Sequence, residues 1–178
     1  MQVSISKLKI RAHTTSETFE RMRAKRSVTG RIFVEVDGFC FPERDWDDFM
    51  IDVLVGWMDN AVLLGRHVVE VDNRFMDGPL SVRISRDIGS DALAVTLYRN
   101  DEPFVPQVFH VDLRRYVAEL RGAAKSVLGE LRKGGEGSAH ETVALEHQLK
   151  KLAGFEASLA KNPRLEPVDS KRRKPGCK

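Results

Sequence analysis

Four aspartates, Asp45, Asp48, Asp52 and Asp59, recur at spacings of three, four and seven, the intervals that bring side chains onto one face of an α-helix. Wound at about 100° per residue, they fall within a sector of about 60°. Carboxylates gathered in this way have three chemistries open to them. They can move protons, they can hold a divalent cation through oxygen, or they can present negative charge to a cationic surface. The first requires burial to shift a carboxyl off its ordinary pKa, and a ridge on the wet side of a helix is not buried. The third fits better, because no Lys or Arg lies between Asp45 and Gly65, whereas a plain solvated face mixes signs to offset a repulsion of a few tenths of a kcal/mol per pair. A solvated helix face is nevertheless the commoner explanation of such a charge run.

Other chemistry finds little footing. Gly134-Gly135-Glu136-Gly137 has no strand before it and no Lys-Ser/Thr after it, so it reads as a linker and not a phosphate loop. Ser90 follows Gly89 in a turn and lacks the flanking glycines of a nucleophile elbow. His140 and His147 lie seven apart, two helical turns, too far for one ion. His13, His67 and His110 stand alone in strand-like surroundings, and Cys40 and Cys177 define neither a metal site nor a disulfide framework. No cofactor, metal or catalytic residue is expected, and the chain reads as a binding protein.

The element that must carry the aspartates is Phe39–Leu64. Phe41-Pro42 supplies a helix start, acids follow in the first turn, and Trp46, Phe49, Met50, Val53, Leu54, Trp57 and Ala61 form a broad apolar face widened by Ile51, Val55, Met58 and Val62. A central helix over 42–64 is therefore predicted. Before it, Val3–Ala12 alternates but changes phase at Ser6-Lys7, an edge strand with a bulge. Thr14–Thr29 reads as a short helix or an irregular excursion. Arg31–Val36 and Phe39–Phe41 form a hairpin about Asp37-Gly38. After Gly65, period-two patterns in His67–Val71, Pro79–Ser85 and Ala92–Tyr98, joined by short turns, predict an antiparallel meander. Val105–Val111, interrupted by Pro106, reads as an edge strand. Asp112 caps a helix with the stripe Leu113, Tyr116, Val117, Leu120, Ala124, Val127, Leu128 and Leu131, and Ser138-x-x-Glu141 is a capping box for another carrying Leu145, Leu149, Leu152, Phe155 and Leu159.

The expected fold class is thus α+β: an antiparallel sheet of about five to seven strands packed on the central helix, followed by a C-terminal helical hairpin. The domain is expected over 1–133, with 134–161 an additional helix on or beside it and 162–178 a disordered basic tail. At 178 residues, 42% hydrophobic and 31% charged, one domain with a sizeable core is affordable. The formal charge of +3 hides an asymmetry: acid gathers at Asp45–Asp59, base at Arg21–Arg26 and Lys171–Lys174. No signal peptide or membrane span is legible, so a cytoplasmic protein without a membrane partner is expected. The two basic stretches raise an alternative, a nucleic-acid-associated accessory protein, although they lack the interleaved aromatics that stack bases. The leucine stripes of the last two helices leave a homodimer open.

A strand hairpin, then Phe41-Pro42-x-x-x-Trp46-x-Asp48, then a helix with Val53-Leu54-x-x-Trp57, then a strand pair joined around Phe75-x-Asp77-Gly78-Pro79, resembles the small α+β immunity proteins of bacterial polymorphic-toxin and contact-dependent growth inhibition systems, over roughly Gly30–Tyr98. The resemblance implies a non-catalytic bacterial protein that binds the C-terminal toxic domain of a cognate effector, often a nuclease, and blocks its active site or substrate cleft. A nuclease offers a basic cleft, which a row of carboxylates would meet quickly. The implied toxin-binding residues are Asp45, Asp48, Asp52 and Asp59 with the loop residues Asp72, Arg74, Phe75 and Asp77. On that reading, reversing Asp48 and Asp52 to Lys slows association and leaves the melting temperature nearly unchanged.

Overall fold

The computed structural model describes residues 4–24, 26–65, 68–87, 90–136 and 139–161. Its elements run β1 (Leu8–His13), α1 (Ser16–Arg23), β2 (Gly30–Val36), β3 (Phe39–Phe41), β4 (Asp47–Asp48), α2 (Met50–Leu64), β5 (Glu70–Arg74), β6 (Leu80–Arg86), β7 (Ala92–Arg99), β8 (Glu102–Pro103), β9 (Phe109–Asp112), α3 (Leu113–Lys133) and α4 (His140–Lys161). The fold is α+β, but its strands form two antiparallel sheets, of four and five strands, where one of five to seven was expected.

The first sheet is built on β2. Asp37 and Gly38 take φ of 48° and 86°, the left-handed pair that a two-residue hairpin requires, and they set Val36 opposite Phe39. Because β3 is only three residues long, the first half of that edge of β2 needs another partner. The chain returns to supply it: β4 pairs Asp48 with Gly30 and Asp47 with Arg31, and Ile32 N–H donates to the Trp46 carbonyl at 2.8 Å. This corrects the helix boundary. Residues 42–49 are strand and turn, Asp45 sits at φ 61°, and α2 begins at Met50, since strand pairing to β2 satisfies backbone groups that an early helical turn would have left bare.

The phase change at Ser6-Lys7 also has a cause. Ser6 N–H donates to the His110 carbonyl of β9 at 2.7 Å, whereas Asp37 N–H donates to the Lys7 carbonyl at 2.9 Å. The expected bulge is the point where the chain leaves the edge of one sheet for the other. The excursion after β1 is α1, capped reciprocally by Thr15 and Thr18.

The second sheet is the expected meander, β5-β6-β7, with β8 and β9 on the far edge of β7. Helix α2 lies along its other edge: Trp57 Nε1–H donates to the Arg74 carbonyl at 3.0 Å and Asn60 Nδ2–H to the Asp72 carbonyl at 3.1 Å. An open strand edge is thereby closed by helix side chains. Asn60 also donates to Asn73 Oδ1, and Asn73 Nδ2–H to the Tyr116 hydroxyl, which ties α2, β5 and α3 together through the core. Burial pushes the Tyr116 hydroxyl above its ordinary pKa.

Every residue of the expected α3 stripe is buried, and the Asp112 side chain accepts from Arg115 N–H at 3.0 Å as the cap. Helix α3 packs on β1, and α4 packs against α2 and α3. Ser138, the expected cap of α4, lies outside the described residues; within them Thr142 Oγ1–H donates to the Glu136 carbonyl at 2.7 Å. Among the described residues no helix is long and apolar enough to cross a membrane.

Candidate functional site

The expected aspartate ridge does not form. Asp45 and Asp48 precede α2, so only Asp52 and Asp59 share its helical face. The Asp48 side chain points inward, 1% exposed, and accepts from Phe49 N–H at 2.6 Å, Met76 N–H at 3.0 Å and Trp46 Nε1–H at 3.3 Å, with Asp77 N–H also within 3.2 Å. A carboxylate with this many donors holds two loops together. The expectation that Asp48 reversal spares the melting temperature therefore fails on burial.

Asp59 is matched within the molecule, by Gln148 Nε2 at 2.8 Å and Lys151 Nζ at 3.6 Å from α4. Asp72 faces Arg83 at 3.4 Å and Arg74 at 3.8 Å. Phe75 is core, stacked edge-on against Trp57 with ring centroids 5.1 Å apart. Asp45 is exposed beside His13, 3.8 Å away, and Asp77 is exposed next to Met76. The eight residues thus divide: Phe75 and Asp48 are structural, Asp59, Asp72 and Arg74 sit in internal ion pairs, and Asp45, Asp52 and Asp77 present charge.

A surface does assemble around Asp52. It stands in the first turn of α2, facing the first turn of α4, and a cleft of about 320 Å³ opens there between Ser27, Val28, Phe49, Ile51, Asp52, Met76, His140 and Glu141. Val28 and Ile51 are buried and give it an apolar floor. Met76 projects at its rim, 59% exposed, on the loop that Asp48 fixes. Desolvation and then the nearby Glu141 carboxylate hold the Asp52 carboxyl above its usual pKa, while His140 works the other way. Two carboxylates thus face each other across a partly apolar cleft. Sequence reading singled out Phe75 and Asp77 on this loop but not Met76 between them, and gave Glu141 only a local role through its capping-box spacing; only the packing of α4 on α2 brings Glu141 to Asp52.

The sign of this coupling is testable. A carboxyl with a raised folded-state pKa binds its proton more tightly folded than unfolded, so its contribution favours folding below the ordinary value of 3.8 and is lost as pH rises through the folded value. In a carboxyl-detected NMR titration, the Asp52 midpoint lies above 3.8, and Glu141→Gln lowers it. A midpoint indifferent to Glu141→Gln would remove the coupling.

The basic stretch Arg21–Arg26 is partly neutralised: Arg21 meets Glu17 at 2.7 Å and Arg23 meets Glu136 at 3.7 Å. Lys25 and Lys171–Lys174 lie outside the described residues. No three His, Cys, Asp or Glu side chains gather in a metal-holding arrangement among the described residues.

Fold and site together define a two-sheet α+β protein with an acidic, partly apolar cleft between two helix N-termini. No protein-family model, curated protein or solved structure matches this chain.

Proposed function

We propose that the chain is an inhibitor of the immunity class, which neutralises a cognate toxin domain by holding a cationic surface of that domain against the Asp52–Glu141 cleft. The observation that carries the reading is the like-charged pair itself. Asp52 and Glu141 stand as like charges beside an apolar floor, and a lysine or arginine inserted between them turns that repulsion into attraction in a partly desolvated place. Met76 at the rim supplies an apolar anchor of adaptable shape. The loop that bears it is held by Asp48 before any partner arrives, which lowers the entropy lost on docking. Asp52 and Asp77 keep their place from the residues implied by the family resemblance; Glu141 and Met76 join them.

The test is the association rate with the toxin domain encoded beside this chain's gene. Asp52→Lys combined with Glu141→Lys slows association at least about tenfold at low salt, with a weaker salt dependence than the parent. Protection of cells that express the toxin falls in parallel. Parent-like rates for the double variant reject this surface, and absence of any complex with the neighbouring toxin rejects the function.

A further inference from the structure

Helices α2 and α4 run side by side in the same direction, as three pairings along them require. Asp52 lies by Glu141, Asp59 by Gln148 and Lys151, and Gly65 against the ring of Phe155. The acidic cleft is at the N-terminal end of this seam. At the C-terminal end lies a groove of about 710 Å³ lined by Asp59, Val62, Leu63, Gly65, Lys151, Gly154, Phe155 and Ser158. Leu63 is 44% exposed at its edge, and a side chain added at Gly154 would meet nothing within 4 Å. The groove is open, with Val62, Leu63 and Phe155 as its apolar lining and Asp59, Lys151 and Ser158 as its polar lining.

Seventeen residues, 162 to 178, follow Lys161, which ends α4 one turn past Ser158. In the sequence, Asn162-Pro163 disfavours further helix, and in an extended polyproline conformation, with three residues per turn, Leu165 and Val168 would share one side. Lengths then decide the register. Gly154 lies about 10 Å and Lys151 about 15 Å back from the end of α4 at 1.5 Å per residue, and Glu141 about 30 Å. At 3.1 Å per residue from Pro163, Val168 reaches back about 15 Å, and Lys171–Lys174 about 25 to 34 Å. Laid back in that conformation, the apolar pair would span the groove, and the run Lys171-Arg172-Arg173-Lys174 would bracket the carboxylates.

We propose that the C-terminal segment of this chain lies back along the α2–α4 seam, with Leu165 and Val168 in the groove and Lys171–Lys174 on the Asp52–Glu141 cleft. The chain's own basic segment then takes the position of a cationic partner, which must displace it. The placement of the segment rests on two surfaces of complementary character and on chain length; only its displacement by a partner rests on the toxin reading.

The test is a disulfide trap in the full chain with Cys40→Ser and Cys177→Ser. Lys151→Cys with Val168→Cys, level with each other in this register, oxidised by glutathione disulfide, closes within one molecule at least about tenfold faster than Lys125→Cys with Val168→Cys, whose first partner is exposed on α3. Closure no faster than that control overturns the proposal, and so does a covalent dimer, which would seat a second copy in the groove. Lys171→Glu with Lys174→Glu, added to the trap, slows closure several-fold at low salt; an unchanged rate overturns the placement of the basic run.

Discussion

Asp48→Ala lowers the unfolding free energy by about 3 kcal/mol, the largest effect expected of any acidic residue in the chain. The carboxylate is 1% exposed and accepts from three backbone N–H groups and the Trp46 indole. Truncation leaves those donors facing a void that offers them no acceptor, and each buried orphan costs about 1 to 3 kcal/mol unless water enters. For a chain of this length the loss corresponds to a melting temperature lower by about 6 to 12 °C. Asp48→Asn, which keeps one acceptor oxygen, should cost markedly less. Hydrogen exchange gives a local readout, because the Met76 and Asp77 amides lose protection earlier than those of β6. Denaturant unfolding that places Asp48→Ala within about 0.5 kcal/mol of the parent, the range of an ordinary surface change, would end the claim that this side chain fixes the Met76 loop.

Trp57→Ala costs about 4 kcal/mol, within the range for deleting a buried aromatic. The indole is 2% exposed, it meets Phe75 edge-on, and its N–H is the donor that covers the Arg74 carbonyl on the open edge of β5. The cost thus has two parts: a cavity beside Phe75, and a strand edge stripped of one of its two side-chain caps. Trp57→Phe separates them, since it restores much of the ring volume and none of the donor. Its loss should be roughly half that of the alanine variant, with greater self-association because the edge is bared. If Trp57→Phe matched the parent in urea unfolding, the hydrogen bond would be irrelevant and the volume would account for everything.

Much of the architecture was legible in the residue pattern. The hairpin follows from Asp37-Gly38, the meander from three period-two runs, and α3 from its stripe and the Asp112 cap, because each depends on chemistry contained within a few neighbouring positions. The start of α2 was not legible. Helical periodicity does extend back through Asp45, but the short β3 leaves half an edge of β2 unpaired, and the demand for a strand there outweighs local propensity. With that boundary the ridge was lost, since a residue moved out of a helix loses its face.

Sequence by itself determined that this chain carries an excess of carboxylate around residues 45–59 and base elsewhere, on an α+β frame, since charge and periodicity are properties of the residues themselves. Tertiary structure alone decided which carboxylates act in common. It buried Asp48 beneath the Met76 loop, neutralised Asp59 with α4, and brought Glu141, distant in the chain, to Asp52. The physical reason is that solvation and Coulomb energy depend on distance in space, which the spacing of residues along a chain fixes only within a single element of secondary structure.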